Sequence, residues 1–258
     1  MILVRQNCFM LGYLILINFM DSSNILKILH DNNLDTSVES NNYFSFHKDR
    51  FNFLIKKLQE DFLEGKSFLE LGSFRGYMMI AASLIGYKVS GVDLEKYVDE
   101  IRELSEKYNF TNLPLDLEKN ILPFPDDSFD VIILSEVLEH LNFHPGQVFS
   151  EIARVLKKNG HVIVTTPNLS RLNNIVKLIF NRSINAELDQ PFHEGTHYRE
   201  YTSQEIVYLM KEAGLHNIEN LFLNFKYPDL GFKVVISDFI SSIFSKKKRD
   251  LCIIGEKI

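Results

Sequence analysis

Four short runs in this sequence carry groups suited to holding a polar, nucleoside-like ligand. The first, Glu70-Leu71-Gly72-Ser73-Phe74-Arg75-Gly76, sets an acidic residue ahead of two glycines. Glycine lets a backbone turn tightly and approach a ligand where a side chain would collide. Asp93 is placed to accept hydrogen bonds from both hydroxyls of a ribose, and Asp116-Leu117 pairs an acceptor for an adenine amino group with an apolar side chain to pack on the base. Ser135-Glu136 completes the set. Each run alone is a weak signal, because an aspartate in a turn usually caps something. Their order carries the argument. A nicotinamide site requires Gly-x-Gly-x-x-Gly, whereas Phe74 and Tyr77 occupy the third and sixth positions here. No Gly-Lys-Ser/Thr follows, which excludes a phosphate-binding P-loop. An acid before the first glycine suits a ligand bearing an amine better than one bearing a pyrophosphate.

These runs make sense only at the ends of strands. From Ser67 onward, strand-like and helix-like segments alternate, the pattern of a parallel sheet covered by helices on both faces. Ser67 to Leu71 reads as the first strand, Gly76 to Ile85 as a helix and Lys88 to Val92 as the second strand. A charged helix over Lys96 to Lys107 leads to a weak strand near Leu113. Asp130 to Leu134 (DVIIL) is the clearest buried strand. Gln147 to Leu156 reads as helix, and a turn at Lys157-Lys158-Asn159-Gly160 starts a strand from His161 to Thr165 that Pro167 ends. Thr202, with Glu205 at capping-box spacing, opens a helix running to Ala213-Gly214. Strands near Asn220 to Phe225 and Leu251 to Gly255 complete the chain. In such sheets, ligands sit beyond the carboxyl ends of the strands where strand order reverses.

The chain's 258 residues, 45% of them apolar and 24% charged, suit one α/β domain with additions and exclude a disordered or polytopic membrane chain. With 28 basic against 34 acidic side chains, the net charge of -6 argues against a protein that mainly holds nucleic-acid backbone. Cys8 and Cys252 form neither a CxxC nor a Cys/His cluster, so a cytoplasmic protein is expected. Residues 1–19 read as an apolar leader or a mis-assigned start, 20–66 as an N-terminal helical cap and 67–258 as the main domain. A helical insertion at about 229–248 spaces Phe232, Val235, Ile236, Phe239, Ile240, Ile243 and Phe244 on one face, followed by Lys246-Lys247-Lys248-Arg249. Core packing is the reading preferred for that helix; contact with an anionic membrane is the alternative.

The runs FLELGSFRG, VSGVD, LPFPDDSFDVIILSEVLEHL and EIARVLKKNGHVIVTTPN together resemble the class I S-adenosylmethionine-dependent methyltransferases. The likeness is greatest to the branch containing ubiquinone-biosynthesis O-methyltransferases and methyltransferases of surface-polysaccharide pathways. It covers roughly Phe44 to the C-terminus. The resemblance implies a Rossmann-like, doubly wound seven-stranded sheet with the last strand antiparallel. It also implies S-adenosylmethionine as cofactor. It assigns Glu70, Gly72 and Gly76, with Ser73 and Phe74 of the same loop, to the methionine moiety. Asp93 and Leu94 are assigned to the ribose, Asp116 and Leu117 to the adenine, and Ser135 to the neighbourhood of the sulfonium. The family usually carries glycine where Phe74 stands, which is expected to tilt the loop and weaken cofactor affinity.

Methyl transfer from a sulfonium needs chiefly alignment and exclusion of water. An oxygen acceptor also needs a base, for which histidine has the right range. The candidates are His140 and the pair His193 and His197; His144, before a proline, reads as loop surface. Glu136, Glu139 and His140 would share one face of a helix and hold a divalent cation; the preferred alternative is that Glu139 and His140 pack the cofactor pocket. Upstream, Tyr43 to Arg50 is expected to fold over the cofactor with Arg50 near its carboxylate, or to leave Arg50 as a surface cation. The function expected is methyl transfer to a small-molecule, glycan or lipid-linked acceptor at oxygen, with peripheral membrane contact open. The competing readings are a nucleic-acid methyltransferase, disfavoured because Leu134-Ser135-Glu136 lacks an Asn/Asp-Pro-Pro-aromatic run, and a catalytically silent binding protein, supported only by Phe74.

Overall fold

A computed structural model describes residues 20–32, 43–61, 66–184, 197–226 and 244–258. Continuous apolar runs build the strands at the centre. β1 (Ser67–Leu71), β2 (Lys88–Asp93), β3 (Thr111–Pro114), β4 (Phe129–Ser135), β5 (Leu156–Pro167), β6 (Leu215–Leu223) and β7 (Asp250–Lys257) form one sheet in the order β3-β2-β1-β4-β5-β7-β6. β7 runs antiparallel to both β5 and β6. Phe68, Leu69 and Leu71 of β1, and Val131 to Leu134 of β4, are fully shielded because helices cover both faces.

The helices are α1 (Ser22–Asp31), α2 (Tyr43–Glu60), α3 (Tyr77–Ile85), α4 (Glu95–Glu100), α5 (Arg102–Tyr108), α6 (Gly146–Val155), α7 (Leu172–Ile179) and α8 (Ser203–Glu212). On one face Ile25, Leu29, Phe51, Leu54 and Leu58 of the first two helices share a core cluster with Met79 and Ile80 of α3 and with Phe68. On the other, Phe149, Ile152, Ile206 and Met210 of α6 and α8 pack on Leu69, Ile132 and Val162. Strand order reverses between β1 and β4, so the fold opens its cleft beyond those carboxyl ends.

Several expected boundaries move. The stretch expected as one helix over Lys96 to Lys107 is two, broken at Ile101, whose side chain is buried. The turn at Lys157 to Gly160 is a bulge inside β5: Phe129 pairs with Leu156 and Val131 with His161, and Asn159 takes a positive φ of 59°. β6 begins at Leu215, five residues ahead of the expected start at Asn220, because it runs beside β7 from Lys257 to Asp250. The capping box forms as expected, with Thr202 and Glu205 bonded reciprocally. The leader 1–19 with Cys8, His193, and the apolar repeat of the insertion through Ile243 lie outside the described residues. No helix among the described residues is long and apolar enough to cross a membrane.

Candidate functional site

Beyond the ends of β1, β2 and β4 lies a cleft of about 540 Å³. It brings Gly72, Phe74, Asp93, Leu94, Asp116, Leu117, Ser135 and His140 of the expected site residues to one surface. Glu70, Ser73 and Gly76 stand outside that lining.

Backbone chemistry explains the glycine loop. Gly72 has φ +78°, and a Cβ there would lie 2.3 Å from Cγ2 of Val137, so only glycine lets the loop close against the β4 end. Its N–H, like that of Ser73, donates to the carbonyl of Val92. Ser73 then donates its hydroxyl to Asn112 Oδ1 (3.1 Å). Gly76, φ +73°, precedes α3. Phe74 takes a φ of 43°, the left-handed conformation that glycine would adopt more cheaply, and its N–H donates to Asp93 Oδ2 (2.5 Å). Its ring sits 4.9 Å from Tyr43 and 5.1 Å from Tyr97, so the bulk is taken up in an aromatic wall of the cleft.

Asp93 accepts a second N–H, from Leu94 (2.7 Å). Burial pushes its carboxyl above the ordinary range, and these two donors, with Lys96, work against that rise. Asp116 is held below the usual range by Lys119, 2.6 Å away, against a modest cost of burial. Glu70 is pushed well above its ordinary value, by burial first and then by the charge of Asp93. Its Oε2 is buried with no hydrogen-bond partner among the described residues. A backbone N–H of Met79 and the charge of Arg50 only partly offset that rise, so this oxygen has room for a donor brought by a ligand. A ligand bringing an ammonium group, vicinal hydroxyls and an adenine ring suits what these residues offer.

The roof comes from α2. Tyr43 lines the cleft, and Arg50, 1% exposed, lies 3.3 Å from Oε2 of Glu136. Arg50 is therefore not the surface cation of the second expectation; it reaches the cleft wall through Glu136. That contact also overturns the expected helical face. Glu136 has φ 54°, its N–H donates to the carbonyl of Thr165 and its Oε1 accepts from the Thr165 hydroxyl (3.0 Å). Only a 3-10 turn, Leu138–His140, follows. Glu136 is thus held by Arg50 and Thr165, distant in sequence, and is not among the groups whose ligating atoms converge with those of Glu139 and His140, although its charge reaches Glu139.

At the acceptor end, His140 lines the cleft beside Tyr198, and the His197 ring packs edge-on against His140 with centroids 4.8 Å apart. The N–H groups of Tyr198 and Arg199 donate to the carbonyl of Glu139, tying this loop to the 3-10 turn. His197 Nδ1 lies 4.0 Å from Glu200. Glu200 was not among the expected site residues. It is gripped by Arg171 through both oxygens (2.6 and 2.7 Å) and by Asn174 (2.8 Å). Burial alone would raise its carboxyl, but hydrogen bonds from His197, Arg171 and Asn174 outweigh it and hold the group down to about 2. Its place three residues after a histidine was the only sequence signal available. Glu139, His140 and His197 bring ligating atoms within 4.8 Å of one another. Glu139, however, is pushed well above its ordinary range by burial and then by Glu136, and accepts from Thr166 Oγ1 (2.9 Å). His144 is exposed, as expected of loop surface.

Comparison with known proteins identifies the family of the chain. The family model described as "Methyltransferase domain" matches residues 46–220. A probable S-adenosylmethionine-dependent methyltransferase of Mycolicibacterium smegmatis is 29% identical over 178 residues, 69% of this chain and 60% of its own length. A ubiquinone biosynthesis O-methyltransferase of Thiobacillus denitrificans is 26% identical over 159 residues, 61% of this chain and 67% of its own. The match to the first relative thus spans less than two thirds of that protein. Among solved structures, a SAM-dependent methyltransferase from Thermotoga maritima superposes with a TM-score of 0.58 at 20% identity, covering 85% of this chain and 95% of that one.

Proposed function

The chain belongs to the methyltransferase domain family, and we propose that it transfers a methyl group from S-adenosylmethionine to the oxygen of a small-molecule, glycan or lipid-linked acceptor. The observation that carries this reading is the cleft itself, where Asp93 with Leu94, Asp116 with Leu117, and Ser135 follow one another around a glycine turn that tolerates no side chain at Gly72. Asp93 and Leu94 hold the ribose, and Asp116 and Leu117 the adenine. Glu70 and the loop through Gly76 hold the methionine end, where the ligand ammonium would donate to the unpartnered carboxyl oxygen.

When bound, S-adenosylmethionine supplies a methyl group already activated by a sulfonium. What remains for the protein is positioning, exclusion of water and removal of the acceptor proton. Tyr43, Phe74 and Tyr97 wall off the solvent side. His140, at the cleft surface, takes the proton from the acceptor hydroxyl. His197 supports the charged ring from behind, and Glu200, ionised and locked by Arg171 and Asn174, orients His197. His193, four residues before His197 in the sequence, is assigned to the acceptor on that position alone. Helix α7 leaves Leu178, Ile179 and Phe180 exposed beside Lys177 and Arg182. Apolar groups flanked by cations support an acceptor presented at an anionic membrane surface. Failure to co-sediment with phosphatidylglycerol vesicles at low salt would remove that last element.

Thermal unfolding with S-adenosylmethionine and with its demethylated product tests the core of the proposal. A ligand at a hundred times its Kd stabilises the native state by about 2.7 kcal/mol, which for a chain of this size raises Tm by roughly 5–10 °C. No shift with either compound at millimolar concentration would refute the methyl-transfer reading.

A further inference from the structure

A second cavity, of about 630 Å³, opens between α8, β6 and the 3-10 turn Ser245–Lys247. Methyl transfer as described above leaves it unused. Lys211, Lys246 and Lys247 line it, and no carboxylate does, although the chain carries a net charge of -6. None of the three ammonium groups has a carboxylate partner among the described residues. Hydroxyl and amide groups of Ser170, Ser203 and Asn220 fill in between them.

The lysine turn is held in place. Asn168, fully buried, donates through Nδ2 to the carbonyls of Lys246 (3.2 Å) and Lys248 (2.7 Å), and its N–H donates to the carbonyl of Arg249 (2.8 Å). Its Oδ1 accepts the N–H of Ser170 (2.9 Å). One buried amide thus fixes both walls, and with them two of the three cations. Concentrating like charges around a concavity costs energy unless an anion answers it, and lysine ammonium groups serve phosphate as compact point charges.

The cavity also neighbours the cleft. Tyr198 lines the cleft and Thr202 lines the cavity, four residues apart, so the two lie within about 14 Å along the chain. From β5 the same holds: Thr165 touches Ser135 of the cleft, and Asn168 walls the cavity. Resting on the methyl-transfer reading, we propose that this cavity binds a phosphate or diphosphate group of the acceptor, whose hydroxyl to be methylated reaches into the neighbouring cleft.

Calorimetric titration of the full chain with inorganic pyrophosphate at low salt tests the assignment. The triple variant Lys211→Ser, Lys246→Ser, Lys247→Ser is compared with a control of equal charge, Lys56→Ser, Lys88→Ser, Lys158→Ser, drawn from exposed lysines elsewhere. The expected result is binding by the parent and the control, weakened at least tenfold in the cavity variant. Affinity for S-adenosylhomocysteine should stay within twofold in all three. Equal pyrophosphate binding by the two variants, or none by the parent, would overturn the proposal. So would a parent that ignores pyrophosphate but binds phosphatidylglycerol vesicles through these lysines, since the cavity would then read a lipid headgroup. Loss of S-adenosylhomocysteine binding by the parent would strike the methyl-transfer reading instead, with the pyrophosphate result standing by itself.

Discussion

The cleft has two halves built in different ways. On the cofactor side, Gly72, Asp93, Asp116 and Ser135 stand at or just past the ends of β1 to β4, and their places follow from where each strand stops. On the acceptor side, His140 and His197 are held by a 3-10 turn and a loop, and their support comes from Glu200, Arg171 and Asn174, which the fold gathers from separate segments. A sheet delivers the first half almost automatically; the second depends on contacts that vary with every loop. Binding of the methyl donor and turnover of the acceptor should therefore be separable by mutation.

The sharpest test exchanges damage between the halves. His140→Ala should lower turnover by about 10²- to 10⁴-fold, the usual contribution of a positioned base, while affinity for S-adenosylhomocysteine changes less than threefold. Asp93→Ala should do the reverse. It removes charged hydrogen bonds worth about 1.5–3 kcal/mol each, so cofactor Kd should rise at least 100-fold, and saturating cofactor should recover most of kcat. Steady-state kinetics with calorimetry would decide. If both substitutions lowered kcat and cofactor affinity together, the two halves would act as one unit and the contrast would fail.

The same contrast explains what could be read before any coordinates. DVIIL and the glycine loop were legible because a buried strand needs a continuous apolar run and a tight turn needs glycine. The capping box was legible because both partners lie within one helical turn. Glu136 was misread: its spacing from Glu139 and His140 fits a helix, yet Arg50 and Thr165 hold it at a positive φ in the cleft wall. For Arg50 nothing local distinguishes burial from surface exposure, and only the fold, by setting it 3.3 Å from Glu136, decides. Glu200 passed unassigned, because its meaning comes from Arg171, Asn174 and His197 together.

A smaller effect probes the acceptor half through pH. The Glu200 carboxyl, at about 2 in the fold against an ordinary 4.5, is depressed. Its stabilisation is therefore complete above the unfolded value and is lost as pH falls from about 4.5 towards 2. Two and a half pH units correspond to at most about 3 kcal/mol. Glu200→Gln should lower Tm at pH 7 by several degrees, and the gap between parent and variant should shrink steadily below about pH 4.5 and close towards pH 2. Parallel stability curves from pH 7 to pH 3 would show that Glu200 is not the locked anion described above.

The smallest effect expected is that of a divalent cation. Glu139, His140 and His197 are close enough to hold one, which would turn the acceptor half from a proton-accepting site into a metal-ligating one. Their chemistry argues otherwise. Burial and the neighbouring charge of Glu136 favour the neutral form of Glu139, which is a poor ligand, and Thr166 already occupies one of its oxygens. Glu136, the nearest source of negative charge, is committed to Arg50. Magnesium or manganese at millimolar concentration should therefore give no binding heat, and turnover should change less than twofold with chelator or metal. A tenfold loss of turnover with chelator, restored by magnesium and absent in Glu139→Gln, would make His140 a ligand rather than a base and redraw this half of the cleft.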